Sequence, residues 1–156
     1  MSHLHYLTVQ DMLWINLEVT KKVQHFNYAK LEEATFYQYA YGESNSLVPQ
    51  AGRFLTGFIR LHPFDAGNES TSLIGCASFL RLNGQKLALC DDDALDWLDK
   101  VMTKQVTGSD AVVGVAKPDP EFHDSLQPDV RSAIKHVLHS FPSTIAELAQ
   151  RGATSK

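Results

Sequence analysis

A stripe of apolar residues with helical spacing, ended by a proline, is the feature that most restricts what this chain can fold into. The stripe falls at positions i, i+3, i+4, i+7 and i+11, which are Ala51, Phe54, Leu55, Phe58 and His62. Residues with this spacing share one face of an α-helix. Pro63 disfavours helical geometry at the residue before it. The pattern therefore predicts a helix over residues 50–62 that ends with His62 on its core-facing side.

A second helix is predicted directly after this one, over residues 68–82. Its apolar stripe consists of Leu73, Ile74, Ala77 and Leu80, and the Asn83–Gly84 pair after it is typical of a helix end. Cys76 lies among these apolar residues, so we expect its thiol to be buried and inert. The two helices are joined by a short loop that contains the sequence "HPFDAGN".

Helical signals also dominate the rest of the chain. Thr8 and Asp11 have the spacing of a helix cap, and the apolar face behind them predicts a helix to about residue 23. Another helix is predicted from Ala29 to Tyr41, with Gly42 as its C-terminal stop. The acidic run at residues 91–93 predicts the N-cap and first turn of a helix that continues to about Val106.

The C-terminal third gives weaker signals. Residues 110–122 break the helical pattern and predict a loop or a short extended piece. Pro128 fits the first position of another helix, and Thr144 with Glu147 predicts a capping box for a short last helix. We therefore predict an all-α fold of six or seven helices, with one domain over residues 1–150 and a tail over residues 151–156.

Composition limits the classes of function. The chain has 156 residues, 44% of them hydrophobic, which suits a single globular domain. Its formal net charge is −4 and it has no basic stripe, which argues against nucleic-acid binding and favours small ligands or proteins as partners. The sequence shows neither a signal peptide at its start nor an apolar stretch of membrane-spanning length, so we predict no membrane association and a cytoplasmic location.

The predicted loop between the two central helices has the ingredients of an anion site. Helix N-termini present unpaired N–H groups and a partial positive charge, and Gly67 would let the backbone approach a phosphate closely. Asn68 could cap the helix or donate to a phosphate oxygen, and His62 could accept a proton from an incoming hydroxyl. Phe64 would anchor the loop in the core. The alternative is structural: a hydrogen-bonded core histidine followed by a turn and a helix cap.

The same stretch resembles the signature of the Fic/Doc (fido) family, His-Pro-Phe-x-Asp/Glu-Gly-Asn-Gly/Lys-Arg. The longer segment "FLTGFIRLHPFDAGNESTSLIGCASFLRLNG" resembles the Doc (death-on-curing) branch, and "YLTVQDMLWIN" is similar to the first helix of Doc-like chains. The resemblance covers residues 4 to about 105. It implies an all-α fold and an enzyme that transfers AMP, or in Doc a phosphate, from a nucleotide to a protein hydroxyl.

The resemblance also assigns roles to individual residues. His62 corresponds to the catalytic base, Phe64 to the loop anchor, and Gly67 with Asn68 to the pair that cradles phosphates. Arg60 stands where the Doc branch carries an arginine two residues before its histidine. A protein target and an antitoxin-like partner are the interactions that such a protein would have.

Three positions depart from the family pattern. Ala66 replaces the acidic residue that holds magnesium, Glu69 occupies the Gly/Lys position, and Ser70 replaces the arginine that grips the phosphates. Asp65 is acidic but lies one residue early. We therefore expect no protein metal ligand, weak binding of ATP with magnesium, and transfer activity that is attenuated or lost. An active transferase with an altered cosubstrate or metal is the alternative, and a helical protein-interaction domain is the third.

Overall fold

The chain forms eight α-helices and one two-stranded sheet in the part that the structure, a computed structural model, describes: residues 4–39 and 46–154, with side chains to residue 151. The elements are α1 Val9–Thr20, α2 Tyr28–Phe36, α3 Leu47–Leu61, α4 Asn68–Leu82, β1 Gln85–Leu87, α5 Asp91–Met102, α6 Gly108–Val115, β2 Ala116–Pro118, α7 Val130–Ser140 and α8 Pro142–Thr154. The prediction of an all-α fold is confirmed, with more helices than expected.

Helix α4 is the centre of the fold. Every residue from 70 to 80 is buried, and the helix packs against α1, α3, α7 and β1. A helix made of apolar and small residues on every side is typical of such a central position. The predicted bounds, residues 68–82, are confirmed, as is the burial of Cys76, where loss of solvation raises the thiol pKa to about 12.

Helix α3 packs closely against α6. A Cβ atom added to Gly52 would lie 2.5 Å from the backbone nitrogen of Ser109, and one added to Gly108 would lie 2.3 Å from the carbonyl oxygen of Gly52. Two glycines thus allow the backbones to approach. This contact explains why residues 108–115 are helical, although we predicted a loop or an extended piece from residue 110. Thr107 caps the helix by accepting the N–H of Asp110, and only residues 116–118 are extended.

The N-terminal helices follow the prediction in part. The capping box of Thr8 and Asp11 is confirmed, and α1 ends at Thr20 because Lys21 adopts the left-handed conformation. Helix α2 ends at Phe36 rather than at Tyr41. The proposed stop at Gly42 lies outside the described residues.

Two predicted helix starts are wrong. Pro128 precedes α7 by two residues, and Asp129 is the N-cap that accepts the N–H of Ser132. Thr144 is not the cap of the last helix, because α8 already begins at Pro142 and the Thr144 hydroxyl donates to Asp91.

Helix α8 is bound to α5 at both ends. The Asp91 carboxylate accepts the backbone N–H groups of Ser143 (2.8 Å) and Thr144 (2.9 Å), so it caps α8 rather than its own helix, whose N-cap is Cys90. Arg151 donates two hydrogen bonds to Asp99 at 2.8 and 3.0 Å. Helix α8 continues to Thr154, into the segment from residue 151 that we predicted to be a tail.

Among residues 4–39 and 46–154, no helix combines the length and the apolar character that a bilayer crossing requires.

Candidate functional site

His62 ends α3 in a conformation that turns its side chain out of the apolar stripe. Its φ and ψ are 53° and 57°, and its N–H donates to the carbonyl of Phe58 at 3.1 Å. The side chain is exposed, so the predicted core-facing position is wrong. Pro63 accounts for the end of α3, since it disfavours the right-handed helical conformation at residue 62 that would have continued the stripe.

The loop after His62 is held by the connection between α1 and α2. The carbonyl of Pro63 accepts the N–H of Asn27 at 2.8 Å, and the N–H of Asp65 donates to the carbonyl of His25 at 3.0 Å. Phe64 itself is 3% exposed. Its ring lies between those of Phe26 and Phe58, with ring centroids 5.8 and 6.3 Å away. Phe64 therefore occupies the buried position expected of a loop anchor.

Gly67 is the N-cap of α4 and has a φ of 81°. A Cβ atom here would lie 2.4 Å from Cγ2 of Thr20 and 3.1 Å from Nδ2 of Asn16, both on α1. The position thus requires glycine for its backbone conformation and for lack of space. The first bond of α4 runs from the N–H of Thr71 to the carbonyl of Gly67 at 2.9 Å.

The start of α4 presents unpaired N–H groups. Those of Asn68, Glu69 and Ser70 precede the first helical bond, and they have no acceptor within the described ranges. Their donors and the helix dipole together favour a negative group in front of the helix. The loop that carries His62 leads directly into this position.

The Asn68 side chain is not directed at a ligand. It is fully buried, Oδ1 accepts the N–H of Phe64 at 2.9 Å, and Nδ2 donates to the carbonyl of Phe64 at 2.7 Å. Asn68 thus closes the loop on itself. In this conformation it can contribute to anion binding through its backbone N–H, but its amide is occupied.

The charged groups expected at a phosphate site are missing or engaged. Residues 61–80 contain no lysine or arginine. Glu69 lies in the first turn of α4, half-buried, and Ser70 is only 4% exposed. Arg60 is exposed, but its Nη2 donates to the hydroxyl of Tyr37 at 2.7 Å and its guanidinium lies 5.6 Å from the centre of that ring.

Asn16 supports the loop from α1, although the sequence pattern did not mark it as part of the site. Its Nδ2 donates to the carbonyl of Ala66 at 2.9 Å and to the hydroxyl of Thr71 at 3.1 Å, and the residue is 2% exposed. The sequence could have indicated this role. An asparagine on the same helix face as the buried Met12, Ile15 and Val19 is itself buried, and a buried polar side chain needs a hydrogen-bond partner.

Comparison of the chain with family models, with curated proteins and with solved structures gave no match.

Proposed function

We propose that this chain is a Fic/Doc-like protein in which nucleotide-dependent transfer of AMP or phosphate to a protein hydroxyl is attenuated or lost. The observation that carries the proposal is the start of α4. The N–H groups of residues 68–70, directly after Gly67, have no acceptor among the described residues, but Glu69 and Ser70 occupy the first turn in place of cations. A cytoplasmic location and a protein partner, a transfer target or an antitoxin-like chain, go with this proposal.

Electrostatics favour the loss of nucleotide binding. Two like charges about 4 Å apart repel by roughly 4 kcal/mol at an effective dielectric near 20, and exposure to solvent lowers this figure. Every ~1.4 kcal/mol is a tenfold change in affinity. Phosphoryl transfer also depends on cations that neutralise charge in the transition state. The negative charge of Glu69 opposes both nucleotide binding and the transfer step, and Ala66 offers no side-chain ligand to a magnesium ion.

An active transferase remains the second candidate because of His62. Its imidazole is exposed at the end of α3, and it makes no hydrogen bond or ion pair within the described residues. A general base must be within reach of the hydroxyl that it deprotonates, and an unoccupied side chain on the loop in front of α4 meets that need. ATP with a differently held magnesium, or another nucleotide, would then be the donor.

The test restores the family residues. We compare the natural chain with Ala66→Asp/Glu69→Lys and with the triple variant that adds Ser70→Arg. The double variant is needed because Ser70 is buried, so that an arginine there must extend out of the core. Glu147→Lys, at an exposed position on α8, is the control and has the same net charge as the triple variant. Binding of ATP with magnesium is measured by titration calorimetry.

We expect undetectable or weak binding by the natural chain and by the control, and binding at least about tenfold tighter by one repaired variant. Transfer of labelled phosphate or AMP to a protein hydroxyl, if gained, should vanish when His62→Ala is added. Micromolar binding by the natural chain would favour the active transferase. Folded repaired variants that bind no better than the parent would refute the phosphate-site argument.

A further inference from the structure

A second concave site lies at the other end of α4. It is a cleft of about 180 Å³ between the last turn of α4, strand β1 and the last turns of α7. Arg81, Lys86 and His136 line its polar side, and Leu87, Val137 and Phe141 contribute to its apolar side. The cleft is separate from the proposed phosphate site, because the 15 residues of α4 place its two ends about 20 Å apart.

The ionisable side chains of the cleft are all bases. All three titratable side chains among the described residues that line it are basic, although the whole chain carries more acidic than basic residues. Lys86 also lies directly opposite Lys117 in the antiparallel register of β1 and β2. Like charges at opposed positions of a sheet destabilise it, although both lysines are exposed and solvent weakens their repulsion. A bound anion would offset the repulsion.

The bases are only partly neutralised by the protein. Within the described ranges, neither Lys86 nor His136 has an ion-pair partner, and Arg81 has one at 3.5 Å, Asp119. A basic residue at the end of α4 also complements the helix dipole, which explains Arg81. It does not explain Lys86, which belongs to a strand.

The floor and the size of the cleft limit the ligand. Val137 and Phe141 are 5% and 2% exposed, and they form an apolar surface under the basic rim. A volume of this size corresponds to roughly six water molecules at ~30 Å³ each, so it suits a body of a few carbon atoms. An apolar lining with a few convergent charged groups is typical of small-molecule sites.

We propose that this cleft binds a small organic anion, an acidic head group on a short apolar body. The head group binds to Lys86, to His136 and to those N–H donors of Arg81 that Asp119 does not use. The apolar body packs against the floor of the cleft. Carboxylates and phosphate esters share this chemistry. The proposal concerns a site apart from the start of α4, and it holds whether or not the chain transfers nucleotide groups.

The test is a titration of the ¹⁵N-labelled full chain, followed by amide chemical shifts. Hexanoate and phenyl phosphate are the two anionic probes, hexanol is the neutral match of the first, and inorganic phosphate lacks the apolar body. We expect saturable shifts at residues 77–89 and 136–141 with the organic anions, and at least about fivefold weaker binding of hexanol and inorganic phosphate. The probe that binds more tightly identifies the head group.

Variants locate the site. Lys86→Gln and His136→Gln change exposed side chains and should each weaken binding of the better probe about threefold or more. Lys135→Gln, one residue earlier on α7 and not part of the cleft, should leave binding of that probe unchanged. The proposal would be overturned if Lys135→Gln weakened binding as much as Lys86→Gln, or if the chemical shift changes lay elsewhere in the chain. It would also be overturned if neither anion showed saturable binding.

Discussion

Asn68 and Phe64 are joined by two hydrogen bonds, because both polar ends of the Asn68 amide bind the backbone of Phe64. The side chain of the helix's first residue thus fixes the loop that precedes it. This pairing holds the chain between His62 and Gly67 in one conformation. It also means that an asparagine next to a helix start need not contact a ligand to be required there.

Replacing Asn68 should destabilise the fold. Asn68→Ala leaves a buried N–H and a buried carbonyl of Phe64 without partners, at a cost of about 2–4 kcal/mol in the free energy of unfolding. Ser72→Ala is the control, since its buried hydroxyl donates, among the residues that the structure describes, only to the carbonyl of Glu69 in the same helix. Urea denaturation measures both variants. Equal stability of Asn68→Ala and the control would show that the clamp contributes little.

Gly67 should not tolerate a side chain. Gly67→Ala places a Cβ at a positive φ, which costs about 1–2 kcal/mol, and presses it against Thr20. Gly114→Ala is the matched control, because its added Cβ meets no atom of the described residues within 4 Å and alanine favours a helix. We expect a lowered melting temperature for the first variant and an equal or higher one for the second. A Gly67→Ala protein as stable as its parent would contradict the left-handed geometry.

Asp91 should stabilise the fold in a pH-dependent way. Burial raises the pKa of its carboxyl, but the hydrogen bonds from Thr144 and Ser143 outweigh this and hold the pKa below its ordinary value of 3.8. A carboxyl with a depressed pKa stabilises the native state above that ordinary value, and the contribution is lost as the pH falls through the folded pKa.

Asp91→Ala should therefore cost about 1–2 kcal/mol at neutral pH, as the loss of a helix cap does. The difference in the free energy of unfolding between this variant and the natural chain should shrink below pH 3.8. Asp92→Ala, an exposed neighbour in the same first turn, should lose only about 0.3–1 kcal/mol. Thermal unfolding between neutral and acidic pH measures this. A difference that stays constant in acid would exclude the ionised cap as its source.

The second link between α5 and α8 should be weaker. The hydrogen bonds from Arg151 hold the pKa of Asp99 below its ordinary value, but both side chains are partly exposed. Arg151→Gln should reduce stability by no more than about 1 kcal/mol, and the loss should diminish at high salt. Lys135→Gln serves as the control in the same thermal unfolding experiment. A larger loss that is insensitive to salt would indicate that Arg151 acts through packing.

Local signals in the sequence explain which elements could be predicted. Helix α4 was predicted with the correct bounds because a proline, a glycine and an Asn-Gly pair mark its surroundings within a few residues. The capping of α8 could not be predicted in this way, since Asp91 and Thr144 lie 53 residues apart. Thr144 and Glu147 have the spacing of a capping box, yet the contact with α5 moved the helix start to Pro142.

Some features of the candidate site could likewise be predicted from local sequence signals, and others could not. The sequence indicated a loop with Phe64 inside and Gly67 at the helix start. The position of the His62 side chain depends on the φ and ψ angles of that one residue, at the end of the apolar stripe. Periodicity assumes helical angles throughout, so it placed His62 on the core-facing side of α3. Helix α6 was missed because valine and glycine have low helix propensity, and its packing against α3 overrides that preference.

The burial of α4 on all sides has a consequence for how the molecule opens. Amide hydrogens in an element that every neighbour covers exchange with solvent only when most of the structure unfolds. The middle of α4 should thus show the slowest exchange in the chain. The N–H groups of the first turn belong to the same helix as this slowly exchanging stretch. An anion that binds them would therefore bind to a surface that is rigid before binding.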